Sequence, residues 1–309
     1  MRKRLPSSVE ICSNNLTVLS HSGISLASLM LTVPAAKPPL KWAGGKRWLA
    51  AAAPKLAPPK WRGRYFEPFM GSAAFFFSFA PQRATLSDTN WEVVATYQAL
   101  QLDPHRVIEE LDRFPFDPNF FYYLRETKPR SLYAIAARFL YLNKTCWNGL
   151  YRVNKNGKFN TPFGQYSNPT ICDEERIEDA AEALTGADLL ATDFETALKS
   201  ARPGDFAYCD PPYITGHNNN GFHKYNASLF AWSDQQRLAT VATELKRKGV
   251  HVLVSNADHE SVIQLYKGFN YYRAKRSSLI AADSNNRGTI SEALLSSYNI
   301  LACESEVIA

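Results

Sequence analysis

From residue 40 onward, apolar and polar positions fall into short blocks of two periods, whereas residues 1–36 hold neither a strand nor a helix period. An Ala-rich run predicts a helix over 49–56, and the apolar pair Tyr65 and Phe66 predicts a short strand. A second strand is expected over 84–86, leading into Ser87 and Asp88, and helical spacing covers 92–100. Strand, turn, helix, strand, acidic residue, helix is how an open α/β sheet begins. The same alternation resumes near Ala187: a buried strand at 206–209 runs into a polar loop, a helix is expected over 235–248, and another buried strand over 250–254. The stretch between them is an insertion into the sheet. The first 36 residues, closed by Pro34, Pro38 and Pro39, read as a loose extension. Asn14, Asn15, Ser20 and His21 interrupt any apolar core of an export signal, and one hypothesis is that Met30 is the functional start and the first 29 residues are dispensable.

Composition narrows the class. Of 309 residues, 45% are apolar and 21% charged, which excludes a wholly disordered, collagenous or coiled-coil chain. No apolar run reaches the roughly 18 residues of a membrane span, so a soluble cytoplasmic protein is expected. Cys12, Cys146, Cys172, Cys209 and Cys303 are scattered, with no CxxC pair, so neither a disulfide framework nor a metal site is expected.

The net charge of +6 is concentrated. Residues 127–166 carry seven basic side chains (Lys128, Arg130, Arg138, Lys144, Arg152, Lys155, Lys158), no acidic one, and eight aromatics from Tyr133 to Tyr166. Cations neutralise phosphates and flat rings stack on bases, so the stretch suits nucleic acid; an ordinary basic face over an aromatic core fits the charge equally well. Residues 173–182, with six acids, are expected to form a helix turned away from such a partner.

The sharpest chemical signal is Asp210-Pro211-Pro212-Tyr213, directly after the strand at 206–209. In open α/β sheets the carboxyl ends of strands bind ligands. Two prolines stiffen the backbone and remove N–H donors, leaving the Asp210 and Pro211 carbonyls beside the Asp210 carboxylate as an acceptor-only cluster suited to an NH2 group. The Tyr213 ring suits stacking on a flat base. A Pro-Pro turn ending a strand is the competing reading of those four residues alone.

Around this tetrapeptide, between Leu40 and Tyr298, the chain resembles the Dam-type (D12 class) DNA adenine-N6 methyltransferases. Lys41-Trp42-Ala43-Gly44-Gly45-Lys46 is similar to the family's first cofactor motif, Phe66-Glu67-Pro68-Phe69-Met70-Gly71-Ser72 to its Gly-containing loop, and Asp88-Thr89-Asn90 to its acidic motif. The segments 142–152 and 159–164 resemble its DNA-reading part, and Ser255-Asn256 with residues 276–287 its late strands and loop. The resemblance implies S-adenosylmethionine as cofactor, with Trp42, Lys46, Asp88 and Asp210 as cofactor positions and Gly71 in the tight turn whose N–H groups hold a carboxylate. Asp193 and Phe194 are weaker candidates for the cofactor's adenine; a loop acid beside a core aromatic is the equal alternative. The family often has a second glycine where Ala73 stands, and an alanine is expected to exclude positive φ and shift the loop slightly.

The implied reaction is direct methyl transfer to adenine N6 in double-stranded DNA without a metal, with Asp210 and the Pro211 carbonyl accepting the amine hydrogens and Tyr213 stacking on a base turned out of the duplex. Phe222 and Tyr225 match a family Phe-x-x-Tyr pattern that closes over that base, although two such aromatics are more often core. Asn154-Lys155-Asn156-Gly157-Lys158 has hairpin-turn composition. By resemblance Trp147 or Asn148 meets the orphaned base and Arg152 a guanine edge, while Lys144, Lys155 and Lys158 pair with phosphates. The target implied is GATC, and a monomer is the default. Competing functions are cytosine-N4 methylation, against which Asp210 weighs where those enzymes resemble Ser-Pro-Pro-Tyr, a catalytically silent DNA-binding relative, and RNA methylation. The expected architecture is a Rossmann-like methyltransferase domain (40–90 and 173–302) behind a flexible extension (1–39), interrupted by a mainly helical target-recognition domain (91–172) carrying a β-hairpin.

Overall fold

The computed structural model describes residues 10–12, 36–42, 44–59, 61–154, 157–213, 230–277 and 289–300. Its strands are β1 (Glu10–Cys12), β2 (Tyr65–Glu67), β3 (Ala84–Asp88), β4 (Asp188–Ala191), β5 (Phe206–Cys209), β6 (His251–Ala257), β7 (Asn270–Ser277) and β8 (Thr289–Ser296). Its helices are α1 (Arg47–Ala50), α2 (Ala53–Leu56), α3 (Ala74–Phe79), α4 (Trp91–Leu102), α5 (Pro104–Asp112), α6 (Pro118–Glu126), α7 (Leu132–Thr145), α8 (Glu174–Ala183), α9 (Phe194–Leu198), α10 (Trp232–Arg247) and α11 (Glu260–Ile263). The single helix expected over 49–56 is two turns instead. Pro54 lacks an N–H and its ring collides with the carbonyl four residues back, so the helix ends at Ala50 and restarts with Pro54 in the first turn of α2.

Two compact units emerge. One comprises the described residues of Met1–Met30, Ala51–Pro68 and Leu198–Ala309; the other those of Leu31–Ala50 and Phe69–Ala197. In the first, strands follow the order β1, β7, β8, β6, β5, β2, with β8 antiparallel to both neighbours and every other pair parallel. All four residues of β5 are buried, as a strand covered on both faces requires. On α10, Leu238, Ala242 and Leu245 form the buried stripe, and the helix packs on β6. Glu10–Cys12 pair with Arg273–Lys275, so the N-terminal extension, expected to be without regular structure, contributes one short strand.

The second unit pairs β3 with β4 in parallel, Asp88 opposite Ala191. Its helix α4 buries Val93, Val94, Ala95, Thr96, Tyr97, Ala99 and Leu100, because it is enclosed by α7, α8 and β4. Both α5 and α6 begin with Asp-Pro: Asp103 accepts from the Arg106 N–H and Asp117 from the Phe120 N–H at 2.7 Å, while proline fills a first-turn position that needs no donor. Residues 91–172 share this unit with β3 and β4. Among the described residues no helix is long and apolar enough to cross a membrane.

Candidate active site

The first unit holds Asp210-Pro211-Pro212-Tyr213 at the carboxyl end of β5. Parallel register sets Cys209 opposite Val254 of β6, which brings Ser255 level with Asp210. Ser255 donates to Asp210 Oδ1 at 2.7 Å, and Tyr208, two residues before Asp210 and so on the same face of β5, lies 3.0 Å from the Ser255 Oγ. The loop is held as firmly. Gln235 of α10 donates to the Pro212 carbonyl at 3.2 Å, and the buried Asn256 donates to Gln235 Oε1 at 2.9 Å. Tyr213 donates its hydroxyl proton to Glu292 of β8 at 2.9 Å; burial first, then the Asp210 and Glu292 charges, push its pKa well above 10, which keeps it a neutral donor. Glu292 is itself 3% exposed.

Sequence reading noticed Ser255 and Asn256 only as a motif, and missed Tyr208, Gln235 and Glu292. The legible signal for Glu292 was a carboxylate amid the apolar alternation of β8; Gln235 gave none, since a helix glutamine is ordinarily solvated.

The second unit gathers the cofactor candidates. The Lys41-to-Lys46 loop is closed by a Gly45 N–H bond to the Trp42 carbonyl at 3.1 Å, and Lys46, 5% exposed, donates from Nζ to the Gly44 carbonyl at 2.8 Å. At the end of β3, Asp88 accepts from the Gly71 N–H at 3.0 Å and the Asn90 N–H at 2.9 Å. Burial raises its pKa, and these backbone donors oppose the rise. Gly71 has φ +43°, and a Cβ there would lie 2.5 Å from Trp42 Nε1, so both conformation and the indole above it demand glycine. Ala73 corrects an expectation: it adopts φ +52°, the left-handed region its methyl group was expected to exclude. The alanine holds this left-handed backbone at a conformational cost.

Thr192 donates its N–H to the Asp88 carbonyl at 3.1 Å, which brings Asp193 and Phe194 to the same strand ends as Asp88. Asp193 Oδ1 accepts from the Glu195 N–H at 3.0 Å, and Phe194, 2% exposed, stacks on Phe69 at 5.4 Å. Asp193 thus caps α9, and Phe194 packs on Phe69.

In the same unit α7 leads into the DNA-reading candidates. A single helical turn spans Trp147–Gly149, with Trp147 52% exposed and Asn148 exposed at φ +53°, a conformation asparagine tolerates. Val153 bridges Phe159 in antiparallel fashion, and Asn154 and Gly157 close the turn between them. Arg152 is exposed, its Nε donating to Asn160 Oδ1 at 2.8 Å. Lys158 is also exposed. Lys144 is different from the surface phosphate contact expected of it: it is 6% exposed, and burial, then Arg176, hold its pKa down to about 8. Arg138 is likewise internal, donating to the Leu124 and Arg125 carbonyls and to Glu92. The basic stretch therefore presents Lys128, Arg130, Arg152 and Lys158 to solvent, and two of its seven cations serve the core. Lys155, Phe222 and Tyr225 lie outside the described residues.

Residues 42–279 match the model of the D12 class N6 adenine-specific DNA methyltransferases. The chain is 37% identical over 272 residues to the type II methyltransferase M1.LlaDCHI of Lactococcus lactis subsp. cremoris, covering 85% of this chain and 95% of that one. To the type II methyltransferase M.MjaIII of Methanocaldococcus jannaschii it is 32% identical over 287 residues, 85% and 99% of the two chains. To the DNA adenine methylase of Serratia marcescens it is 33% identical over 266 residues, 82% and 96%. With its acceptor cluster fixed at the end of β5 and its glycine turn against Asp88, the chain belongs to the D12 class of N6 adenine-specific DNA methyltransferases.

Proposed function

We propose that this DNA adenine methyltransferase transfers the methyl group of S-adenosylmethionine to N6 of an adenine turned out of duplex DNA, within GATC. The observation that carries the reading is the Asp210 carboxylate, oriented by Ser255 at 2.7 Å beside two prolines that offer no donor. Adenine N6 is a weak nucleophile because its lone pair is delocalised. One hydrogen of the amine donates to Asp210 and the other to the Pro211 carbonyl, which draws the nitrogen toward tetrahedral geometry. Positive charge grows on N6 as the new N–C bond forms, and the fixed carboxylate stabilises it with little reorganisation. One N6 proton is then lost, and Asp210, already bonded to it, accepts it and passes it to water. Tyr213, tethered through its hydroxyl to Glu292, presents its ring as the stacking surface for the base.

The residues of the second unit fit the cofactor chemically. Asp88 accepts from the Gly71 and Asn90 N–H groups, one at each oxygen, and has acceptor capacity left for ribose hydroxyls. Lys46 supplies an ammonium for the amino-acid carboxylate, and Trp42 beside Gly71 an aromatic face. When bound, S-adenosylmethionine supplies a methyl group activated by its sulfonium. On the DNA side, Trp147 or Asn148 meets the orphaned base, Arg152 reads a guanine edge, and Lys155 and Lys158 pair with phosphates in a helical target-recognition segment, residues 91–172, with its hairpin at 152–160.

Transfer of labelled methyl to duplexes with and without GATC, followed by nucleoside analysis, tests this directly. N6-methyladenine confined to GATC is expected, and Asp210→Ala should lower kcat at least 10²-fold, about 3 kcal/mol of transition-state stabilisation. N6-methyladenine elsewhere discards the target and keeps the reaction; full activity in Asp210→Ala discards the mechanism.

A further inference from the structure

We infer that Tyr151 is a positioning residue that couples cofactor binding to DNA binding, through the stack of its ring on Trp42. The inference rests on the roles proposed above for the two segments. Trp42 belongs to the cofactor loop, and Tyr151 stands one residue before Arg152 in the DNA-reading segment; their rings lie 5.6 Å apart and only 16° from parallel. The indole also lies against Gly71, whose N–H is bonded to Asp88. Tyr151 in turn packs on Phe159, at 5.7 Å, the residue that bridges Val153. One pair of rings therefore joins the glycine turn to the turn that carries Arg152.

The junction is built to transmit position. Asn143, 2% exposed, pairs with both backbone groups of Lys41, accepting its N–H at 2.8 Å and donating to its carbonyl at 2.7 Å, so the residue before Trp42 is fixed to the end of α7. Gly149 has φ +62°, and a Cβ there would come within 2.6 Å of the Lys41 side chain, so the loop after Trp147 is shaped around this strap. The Tyr151 hydroxyl donates to Glu92 at 3.2 Å, and Glu92 is held by Arg138 at 3.0 Å. Tyr151 has Phe139 at 5.2 Å as a further ring neighbour, which limits it to small displacements along the indole face. A ligand that fixes Trp42 removes freedom that DNA would otherwise have to remove from residues 147–153, and the converse holds by linkage.

The test measures binding by the full chain of S-adenosylhomocysteine, which cannot react, and of an unmethylated GATC duplex, each alone and each with the other saturating. Both affinities should tighten by the same factor, about fivefold or more. Tyr151→Phe keeps the ring and should retain that factor within about twofold. Tyr151→Met and Tyr151→Leu, two apolar replacements without a plane, should leave both ligands binding but bring the factor to between one and two. A wild-type protein that binds both ligands with no mutual effect overturns the inference whatever the variants do, as does either nonaromatic variant that keeps the full factor. A merely structural role for Tyr151 would weaken both separate affinities and leave the factor standing. Failure of the wild type to bind either ligand would instead overturn the cofactor or DNA reading itself.

Discussion

Ala73 carries a conformational cost that its neighbours impose. Its N–H bonds to the Met70 carbonyl in a turn whose next residues open α3, and the turn requires φ +52° whichever residue stands there. A left-handed alanine costs roughly 1–2 kcal/mol, partly offset because glycine would add unfolded-state freedom. Ala73→Gly is therefore expected to raise stability by about 0.5–1 kcal/mol, read as a shift in the denaturant midpoint at constant slope. A midpoint that falls would mean the turn is relaxed with alanine. Residue identity singled out Asp210, Lys46 and Asp88 as candidates, because a carboxylate or ammonium beside Pro or Gly in a motif has few structural uses. It left Phe194 open, since an aromatic facing a core and one facing a ligand have the same letter.

Buried polar residues crowd onto one helix, α7. Arg138 fastens the carbonyls at the end of α6, Asn143 holds Lys41, and Thr145 donates to the Tyr141 carbonyl at 2.7 Å. Lys144 is the costly member. Its pKa falls from 10.5 to about 8, so between those values the folded chain holds fewer protons than the unfolded one, and stability rises with pH across that window. Below pH 8 the full cost of burying the ammonium is present. Lys144→Met should thus stabilise at pH 7 by about 1–3 kcal/mol, with the advantage shrinking as pH approaches 10.5. Thermal unfolding at pH 7 and pH 10 checks the sign; an advantage that grows with pH would show that the charged form is favoured by the fold. Helical spacing located α4 and α10, and a run of acids α8, to within a few residues. It could not separate the cations of α7 from those at the surface, since both satisfy the same pattern until packing chooses a face.

Chain connectivity is resolved only at the scale of the molecule. In the first unit Asp205, 8% exposed, accepts from the Arg202 N–H and, across 141 positions of sequence, from the Arg64 N–H, both at 2.8 Å. This carboxylate aligns the starts of β2 and β5, the strand that delivers Asp210. Asp205→Ala would strand two backbone donors and should cost about 2–4 kcal/mol, whereas Asp205→Asn, which keeps one good acceptor, should cost less. Equal loss in both would assign the effect to charge alone; no loss would remove Asp205 from the assembly of β2 with β5. What the order of residues determined by itself was the sequence of elements and the motifs, because these depend on local periodicity and on chemistry confined to a few adjacent positions. Tertiary structure alone decided that Ser255 orients Asp210, that Glu292 tethers Tyr213, that Lys144 is withdrawn from solvent, and that Tyr151 lies on Trp42. Each of those depends on register between strands or on packing between segments from about 30 to more than 100 residues apart, and no local pattern encodes which distant side chain will arrive within 3 Å of a hydroxyl or lie flat on an indole.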